Sequence, residues 1–352
     1  MKNFSTILFV APNYKSRKGG IASVLKTYSR GFQGFQFYPS VFYSNALLNV
    51  FLFPCNILGF FLKLLFNKNI KIVHIHGASR GSFYRKYIFY VISKNIFNKK
   101  VLYHIHGGEY HIFYSKASKR VQQLVENMIN SCDGIIVLSK EWSDFFAKTF
   151  KPKNIFVVNN IVDFKSEKRF NEPPQTVQVL FLGRIGKGKG TFDLLQTIID
   201  NSDYFEDKIK LTIGGDGDIE KLNSLIISHK LDKTIEYVGW VDGEKKKELL
   251  TNSHVLILPS YNEGLPISLL EAMSYSMPII STNVGGIPQI LKNNLNGILI
   301  EPGNKTQIFE ALKVYTENKE LISKHGRASY KLVHDFFPKK VINRLEEIYK
   351  CI

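Results

Sequence analysis

The sequence predicts an α/β protein of two domains, and three observations support this prediction. Short apolar runs alternate with amphipathic helical segments along the whole chain, a pattern typical of parallel sheets. The chain of 352 residues is longer than one hydrophobic core usually serves. A polar, proline-containing stretch at about residues 163–175 separates two halves that both show the alternating pattern. We interpret that stretch as the linker between the domains.

The apolar runs place the strands and the last helix. In the first half we expect strands near residues 5–11, 71–76, 101–105, 133–138 and 154–158. In the second half we expect them near residues 177–182, 209–214, 235–238, 254–258, 278–281 and 297–300. The final helix is expected at about Lys339–Tyr349. The first run, which ends at Val10, has too short an apolar core for a signal peptide and is interpreted as a buried strand.

Cysteine usage and charge indicate where the protein works and what it meets. The three cysteines are scattered and form no CxxC pair, which favours a reducing, cytoplasmic location over a disulfide framework or zinc site. Residues 1–160 hold 22 Lys and Arg against 5 Asp and Glu, whereas residues 161–352 hold 25 of each. The basic half therefore faces nucleic acid, an anionic membrane surface or a phosphorylated acceptor. No nucleic-acid-binding motif accompanies the charge, so we expect no nucleic-acid partner.

The most informative segment runs from Pro259 to Met273, with the sequence PSYNEGLPISLLEAM. An apolar strand-like run precedes it, and its apolar residues then keep the spacing of a helix with one apolar face. Pro266 suits a first helical turn, where a missing N–H costs nothing. The free N–H groups of about residues 265–268 would form an anion site between Glu263 and Glu271. Such a site suits a sugar nucleotide, with the diphosphate in the middle.

This segment, together with Pro278–Pro288, resembles the donor-binding signature of the retaining GT-B glycosyltransferases of the large bacterial family 4. The resemblance implies two Rossmann-like domains that face each other across a cleft. The first domain would comprise residues 1–165 and the C-terminal helix of residues 336–352. The second, residues 166–335, would bind the nucleotide sugar.

The resemblance also implies roles for individual residues. Arg184 and Lys189 would grip the donor diphosphate, Glu263 would lie beside the sugar, and Glu271 would bind the ribose hydroxyls. His106, before Gly107-Gly108, would contact the transferred sugar. The remaining donor-binding residues would be Gly19, Gly20, Gly183, Gly239, Gly264, Leu265, Pro266 and Ile267.

Two motifs allow other interpretations. Gly183 to Lys189 fits the GxxxxGK of a P-loop, but Gly190 stands where Ser or Thr should hold magnesium. A flexible basic loop is a further interpretation of the same residues. His74-Ile-His76 and His104-Ile-His106 place pairs of imidazoles on one strand face, where they could in principle bind a metal. For His74 and His76 we favour a structural role, and we expect neither a metal nor a cofactor.

Residues 46–66 form an apolar run that allows three interpretations. A membrane-spanning helix needs about 20 apolar residues, and Asn49, Pro54, Asn56 and Lys63 interrupt this one. We favour a buried helix. An interfacial membrane helix is the second choice, supported by the aromatic and basic stretch at residues 83–90.

The expected function is a retaining, metal-independent hexosyl transfer. The donor would be a nucleotide sugar, UDP-linked rather than GDP-linked, and the acceptor a saccharide or lipid-linked saccharide of surface polysaccharide biosynthesis. The protein would lie on the inner face of the cell membrane as a peripheral protein. The alternatives are a GT-B sugar-nucleotide epimerase and, less favoured, a basic nucleic-acid-binding protein.

Overall fold

The structure, a computed structural model, describes residues 2–16, 19–42, 46–163 and 174–352. The chain divides into two compact units, Met1–Ile161 with Phe336–Ile352 and Val162–Asp335. Each unit contains a six-stranded parallel sheet. Most of the expected linker, including the expected boundary at residue 165, lies outside the described residues.

The first unit is built on two sheets. Its strands are β1 (Lys2–Asn3), β2 (Ile7–Pro12), β3 (Phe32–Gln33), β4 (Gln36–Val41), β5 (Ile72–Gly77), β6 (Lys100–Ile105), β7 (Gly134–Val137) and β8 (Ile155–Val157). Its helices are α1 (Gly20–Gly31), α2 (Ala46–Phe51), α3 (Phe53–Phe66), α4 (Gly81–Val91), α5 (Tyr110–Ser115), α6 (Lys119–Ser131) and α7 (Lys140–Thr149). A π-helical turn, Ile92–Ile96, continues α4. The large sheet has the order β4-β2-β5-β6-β7-β8, and β1 pairs with β3.

The second unit is a single doubly wound sheet. Its strands are β9 (Val177–Leu182), β10 (Ile209–Gly214), β11 (Ile235–Tyr237), β12 (Val255–Leu258), β13 (Ile279–Thr282) and β14 (Gly297–Ile300). Its helices are α8 (Thr191–Asp200), α9 (Ser202–Phe205), α10 (Ile219–Ser228), α11 (Gly243–Asn252), α12 (Ile267–Ser274), α13 (Ile287–Ile290), α14 (Lys305–Glu317) and α15 (Glu320–Val333). The strand order is β11-β10-β9-β12-β13-β14. The order therefore reverses between β9 and β12, which is the switch point where such sheets bind ligands.

The predicted α/β class is confirmed, and each predicted strand is present with ends within two residues of the prediction. These strands are buried on both faces, so their sequences are almost continuously apolar, as in β9 and β12. The prediction missed β1, β3 and β4. Strand β4 lies at the edge of the large sheet and contains Pro39, which an edge strand tolerates but which weakens the sequence signal.

The last helix, α16 (Pro338–Cys351), belongs to the first unit. It buries Val341, Ile342, Leu345 and Ile348. The hydroxyl of Tyr349 lies 2.6 Å from Nδ1 of His74 on β5. The C-terminal segment thus completes the core of a unit whose other residues come from the start of the chain.

The apolar run at residues 46–66 forms α2 and α3, and the expected burial holds for one face only. Phe60 and Leu64 are fully buried against the unit. The opposite face is exposed, with Phe51 82% and Phe66 80% accessible. Within the described ranges, no helix combines the length and the apolar character needed to cross a membrane.

Candidate functional site

The loops that follow β9 and β12, at the switch point of the second sheet, contact each other through their backbones. The loop after β9 reaches α8 at Gly190, which has φ +65° and lies so close to Pro259 that a Cβ would be 2.0 Å from its carbonyl oxygen. The N–H of Tyr261 donates to the carbonyl of Gly188 at 3.0 Å. Only glycine fits at position 190, because any side chain would meet this carbonyl. The contact therefore also excludes the Ser or Thr of a P-loop at this position.

A partly buried ion pair links these two loops. Nζ of Lys189 lies 2.5 Å from Oε1 of Glu263, and their side chains are 29% and 8% exposed. The hydroxyl of Ser260 donates to the same carboxylate oxygen at 2.7 Å. A carboxylate at this depth needs such partners to offset its lost hydration. Of the two candidate lysines in the loop, Lys189 makes this contact, whereas Lys187 is exposed.

The start of α12 lies directly after Glu263. Pro266 is the N-cap residue, with ψ 125°, and the helix begins at Ile267. The sequence predicts Pro266 within the first helical turn, and the structure corrects this. Pro266 lies one residue before the helix because its ψ is extended, and only its carbonyl takes part in the helical hydrogen bonding. Proline has no side-chain acceptor, so the N-cap residue makes no cap hydrogen bond to the first N–H groups, and such groups at a helix start suit an anion. The loop after β13 supports this segment, since the N–H of Gly286 donates to the carbonyl of Gly264 at 2.7 Å.

Glu271, on the second turn of α12, does not contact Glu263 or Lys189 but pairs with a lysine of another helix. Its Oε1 lies 2.5 Å from Nζ of Lys246 on α11. Both side chains are mostly buried, at 16% and 27% exposed. Nothing in the sequence distinguishes Lys246 from its neighbours, because it stands in the lysine run of residues 245–247. Ser260 was also missed, although it precedes Glu263 by three residues in the same loop.

The remaining donor-side candidates surround the switch point. The N–H of Gly183 donates to the carbonyl of Gly214, and the N–H of Gly215 donates to the carbonyl of Gly239. Gly239 has φ +74°, and a Cβ there would meet open space. Arg184 is exposed and, within the described part of the chain, makes no ion pair. A cation and an open backbone thus remain available to a ligand.

In the first unit the pair Gly19-Gly20 lies at the start of α1, the helix that follows β2. Gly19 is the N-cap residue of α1, with φ +117°, and Gly20 is its first residue. A Cβ at Gly19 would meet nothing within 4 Å. The turn thus requires glycine at position 19 for its backbone conformation and not for space.

His106 belongs to a stack of four imidazoles on β5, on β6 and directly after β6. Its Nε2 lies 2.8 Å from Nδ1 of His76, and Nε2 of His74 lies 3.2 Å from Nδ1 of His104. Burial lowers the pKa of His106 to about 4 and that of His74 to about 3. Burial also holds the pKa values of His76 and His104 well below their usual range. All four rings are therefore neutral at pH 7.

Three of these imidazoles are close enough to be considered as metal ligands. One nitrogen from each of His74, His76 and His104 lies within 4.8 Å of the others. However, the rings of His74 and His104 are stacked at an interplanar angle of 16°, and those of His74 and His76 at 20°. Both ring nitrogens of His74 are already engaged, Nδ1 with the hydroxyl of Tyr349 and Nε2 with Nδ1 of His104. The arrangement is that of a hydrogen-bonded core stack, and chelation by His74 would require one of these hydrogen bonds to break.

We expect this stack to make the first unit sensitive to acid. In the unfolded chain each imidazole takes up a proton near pH 6.5, whereas the folded stack resists protonation until far lower pH. The free energy of unfolding should therefore fall as pH drops from 6.5 to 4.5, by up to about 1.4 kcal/mol per pH unit for each histidine. A Trp240→Phe background leaves Trp142 to report unfolding of the first unit by fluorescence.

In that background, His74→Phe should reduce the pH slope by the share of one histidine. His229→Asn, at an exposed position, serves as the matched control and should leave the slope unchanged. An unaltered slope in the His74→Phe protein would show that the stack does not govern acid sensitivity.

Two protein-family models match this chain, and both describe glycosyltransferases. Residues 162–332 match the family described as Glycosyl transferases group 1, and residues 19–166 match Glycosyltransferase Family 4. The chain belongs to the group 1 glycosyltransferases, of the family 4 type, and its class of activity is glycosyl transfer.

Individual relatives support this assignment. An uncharacterized 41.2 kDa protein in the cps region of Klebsiella pneumoniae is 26% identical, covering 82% of this chain and 81% of that protein. The UDP-Gal:alpha-D-GlcNAc-diphosphoundecaprenol alpha-1,3-galactosyltransferase of Escherichia coli is also 26% identical, covering 82% and 77%. The structure of Anabaena HepE in complex with UDP superposes with a TM-score of 0.75 at 13% identity, covering 98% and 99%. The predicted GT-B fold is confirmed.

Proposed function

We propose that this glycosyltransferase moves a hexosyl group from a nucleotide sugar, UDP-linked rather than GDP-linked, to an acceptor hydroxyl with retention at the anomeric carbon. The observation that carries the proposal is the partly buried Lys189–Glu263 pair at the switch point of the second sheet. It puts a cation and a carboxylate side by side where doubly wound sheets bind nucleotides.

The donor diphosphate would lie against the positive side of this arrangement. Lys189, Arg184 and the uncapped start of α12 each offer positive charge or N–H groups to phosphate oxygens. Glu271 would accept hydrogen bonds from the ribose hydroxyls, and the open backbone at Gly239 would face the nucleobase. Lys246 holds the Glu271 carboxylate in place for this role.

The reaction breaks the bond between the anomeric carbon and the diphosphate oxygen and forms a bond from that carbon to the acceptor oxygen. Negative charge develops on the leaving diphosphate, and Lys189 and Arg184 neutralise it. Positive charge develops on the sugar ring, which the Glu263 carboxylate would stabilise. The acceptor proton passes to an oxygen of the leaving phosphate. Because side chains neutralise the diphosphate, we propose that transfer needs no divalent metal.

The acceptor is proposed as a saccharide or lipid-linked saccharide of surface polysaccharide synthesis. The names of two relatives support this, since one lies in a cps region and the other acts on a diphosphoundecaprenol-linked sugar. A lipid-linked acceptor would place the protein at the inner membrane face as a peripheral protein. His106 is proposed to contact the transferred sugar in its neutral form.

The test is a transfer assay with purified protein, a panel of UDP- and GDP-sugars, and saccharide and lipid-diphosphate-linked acceptors. We expect one UDP-sugar to give acceptor-dependent release of UDP and a product with retained anomeric configuration by NMR. Activity should survive EDTA, and loss of activity restored by manganese would overturn the metal-independent assignment. Conversion of the donor sugar in the absence of acceptor would identify an epimerase instead.

Glu271→Ala should weaken donor binding and leave the chemical step nearly intact. Charge-assisted hydrogen bonds to the two ribose hydroxyls are each worth about 1.5 kcal/mol or more, so the KM for the donor should rise by about 100-fold or more. The measurement is kcat and KM over a range of donor concentrations, with the donor Kd determined by calorimetry.

Glu244→Ala is the matched control for this variant. Glu244 is an exposed carboxylate on α11, two residues before Lys246, and it pairs with Lys247. It should leave both constants unchanged. A fall in kcat with an unchanged donor Kd for Glu271→Ala would contradict its assignment to the ribose.

A further inference from the structure

The outward side of α2 and α3 is an unusual surface for a protein exposed to water. Phe51, Leu58, Leu62, Leu65 and Phe66 recur at helical spacing on this side and are 82%, 59%, 40%, 44% and 80% exposed. We call these five residues the α2–α3 apolar face. Single exposed apolar residues are common on protein surfaces, but an apolar helix face indicates a site of contact with another protein or a membrane.

The fold does not need this face, because the opposite side of α3 attaches the helix. Phe60 and Leu64 are buried, and the hydroxyl of Tyr38 on β4 donates to the carbonyl of Asn56 at 2.7 Å. The side-chain amide of Asn56 donates to the carbonyl of Pro39 at 3.2 Å. The inner side thus fixes α3 to the sheet edge and directs the apolar face outward.

Charge around the face indicates its partner. Residues 1–108 contain no Asp or Glu at all. Lys63 lies in the last turn of α3, and the exposed Lys68 and Lys71 follow its C-terminal end. A second copy of this chain would bring two such basic surfaces together, which like-charge repulsion opposes. An anionic lipid surface offers both apolar depth and negative charge.

The dimensions fit a helix that lies in the membrane plane. At about 1.5 Å per residue, the 14 residues of α3 extend over about 21 Å, which is less than the roughly 30 Å of a bilayer core. We infer that the α2–α3 apolar face inserts into the headgroup region of an anionic membrane, with the neighbouring lysines on lipid phosphates. This inference rests on the proposed function in one respect only: a lipid-linked acceptor would explain why the protein binds a membrane.

Vesicle flotation of the full-length protein tests the inference. We expect binding to phosphatidylcholine vesicles that contain phosphatidylglycerol, and much weaker binding to phosphatidylcholine alone. The variant Leu58→Ser/Phe66→Ser should lower the partition coefficient about 10-fold for each side chain. Ile227→Ser, which removes a 76% exposed apolar side chain from α10 of the second unit, is the matched control and should bind like the unaltered protein. Lys68→Gln/Lys71→Gln should reduce binding at low salt and remove part of its salt dependence.

The other outcomes separate the alternatives. Equal flotation of the Leu58→Ser/Phe66→Ser variant and the control, both with unchanged thermal melting, would overturn the inference, as would equal binding to neutral and anionic vesicles. Self-association in sedimentation velocity that the same variant abolishes would assign the face to a second copy. Transfer to a soluble acceptor should be normal in this variant. If no protein transfers sugar while flotation behaves as expected, the proposed function fails and the membrane contact stands.

Discussion

Glu263→Gln should lower kcat for sugar transfer by about 100- to 1,000-fold, with little change in the KM for the donor. The substitution keeps the shape of the side chain and an oxygen that Ser260 can donate to, so the loop should stay in place. It removes the negative charge that would face the positive charge developing on the sugar ring, and groups of this kind are worth about two to three orders of magnitude in rate. The measurement is steady-state kinetics with the preferred donor, alongside a donor Kd.

The control is Glu244→Gln, a carboxylate of the same unit that is exposed. It should have no effect on either constant. If Glu263→Gln lost donor affinity and kept full turnover, the roles of Glu263 and Glu271 would be reversed. A melting temperature close to that of the unaltered protein is required for either result to bear on mechanism.

Lys189→Met should lower kcat/KM by about 100-fold or more, because the leaving diphosphate would lose a cation held beside it. Methionine has a similar length and apolar stem, so packing in the loop should change little. The neighbouring Lys187→Met is the matched control, since Lys187 lies in the same loop but is exposed and makes no contact with Glu263. It should reduce activity by less than a few-fold.

The Lys189–Glu263 contact also predicts that the two substitutions are not additive. Each single variant removes the oppositely charged neighbour of a partly buried or buried charge, which is costly on its own. The double variant Lys189→Met/Glu263→Gln should therefore recover stability relative to the sum of the single effects. Additive losses in melting temperature would show that the two charges act independently.

The sequence was sufficient for the sheets because parallel strands are buried on both faces. Their apolar runs need no knowledge of the partner strand, as β9 and β12 illustrate. Glu263 and Lys189, which the sequence predicts as donor-site residues, stand in loops that follow such strands and contact each other in the structure, and their roles remain predictions. Strand β4 was not predicted, because Pro39 and the partial burial of its residues weaken the apolar pattern of its sequence.

Contacts between distant parts of the chain could not be predicted. Lys246 reaches Glu271 from a separate helix, and nothing in its own run of lysines singles it out. The stacking of His74 on His104, and its contact with Tyr349, depends on strand register and on a helix 275 residues away. The exposure of Phe51 and Phe66 was missed for a related reason, since an apolar run does not reveal how much protein lies over it.

The position of α16 determines the order in which the units can be completed during synthesis. The second unit is continuous, from Val162 to Asp335, so all of its contacts are available once those residues have left the ribosome. The first unit begins earlier but lacks α16, and with it the hydroxyl that contacts His74, until residues 336–352 have also emerged. The unit whose translation begins first is thus completed after the other, and a truncation directly before residue 336 would remove part of the first unit's core while keeping every residue of the second unit.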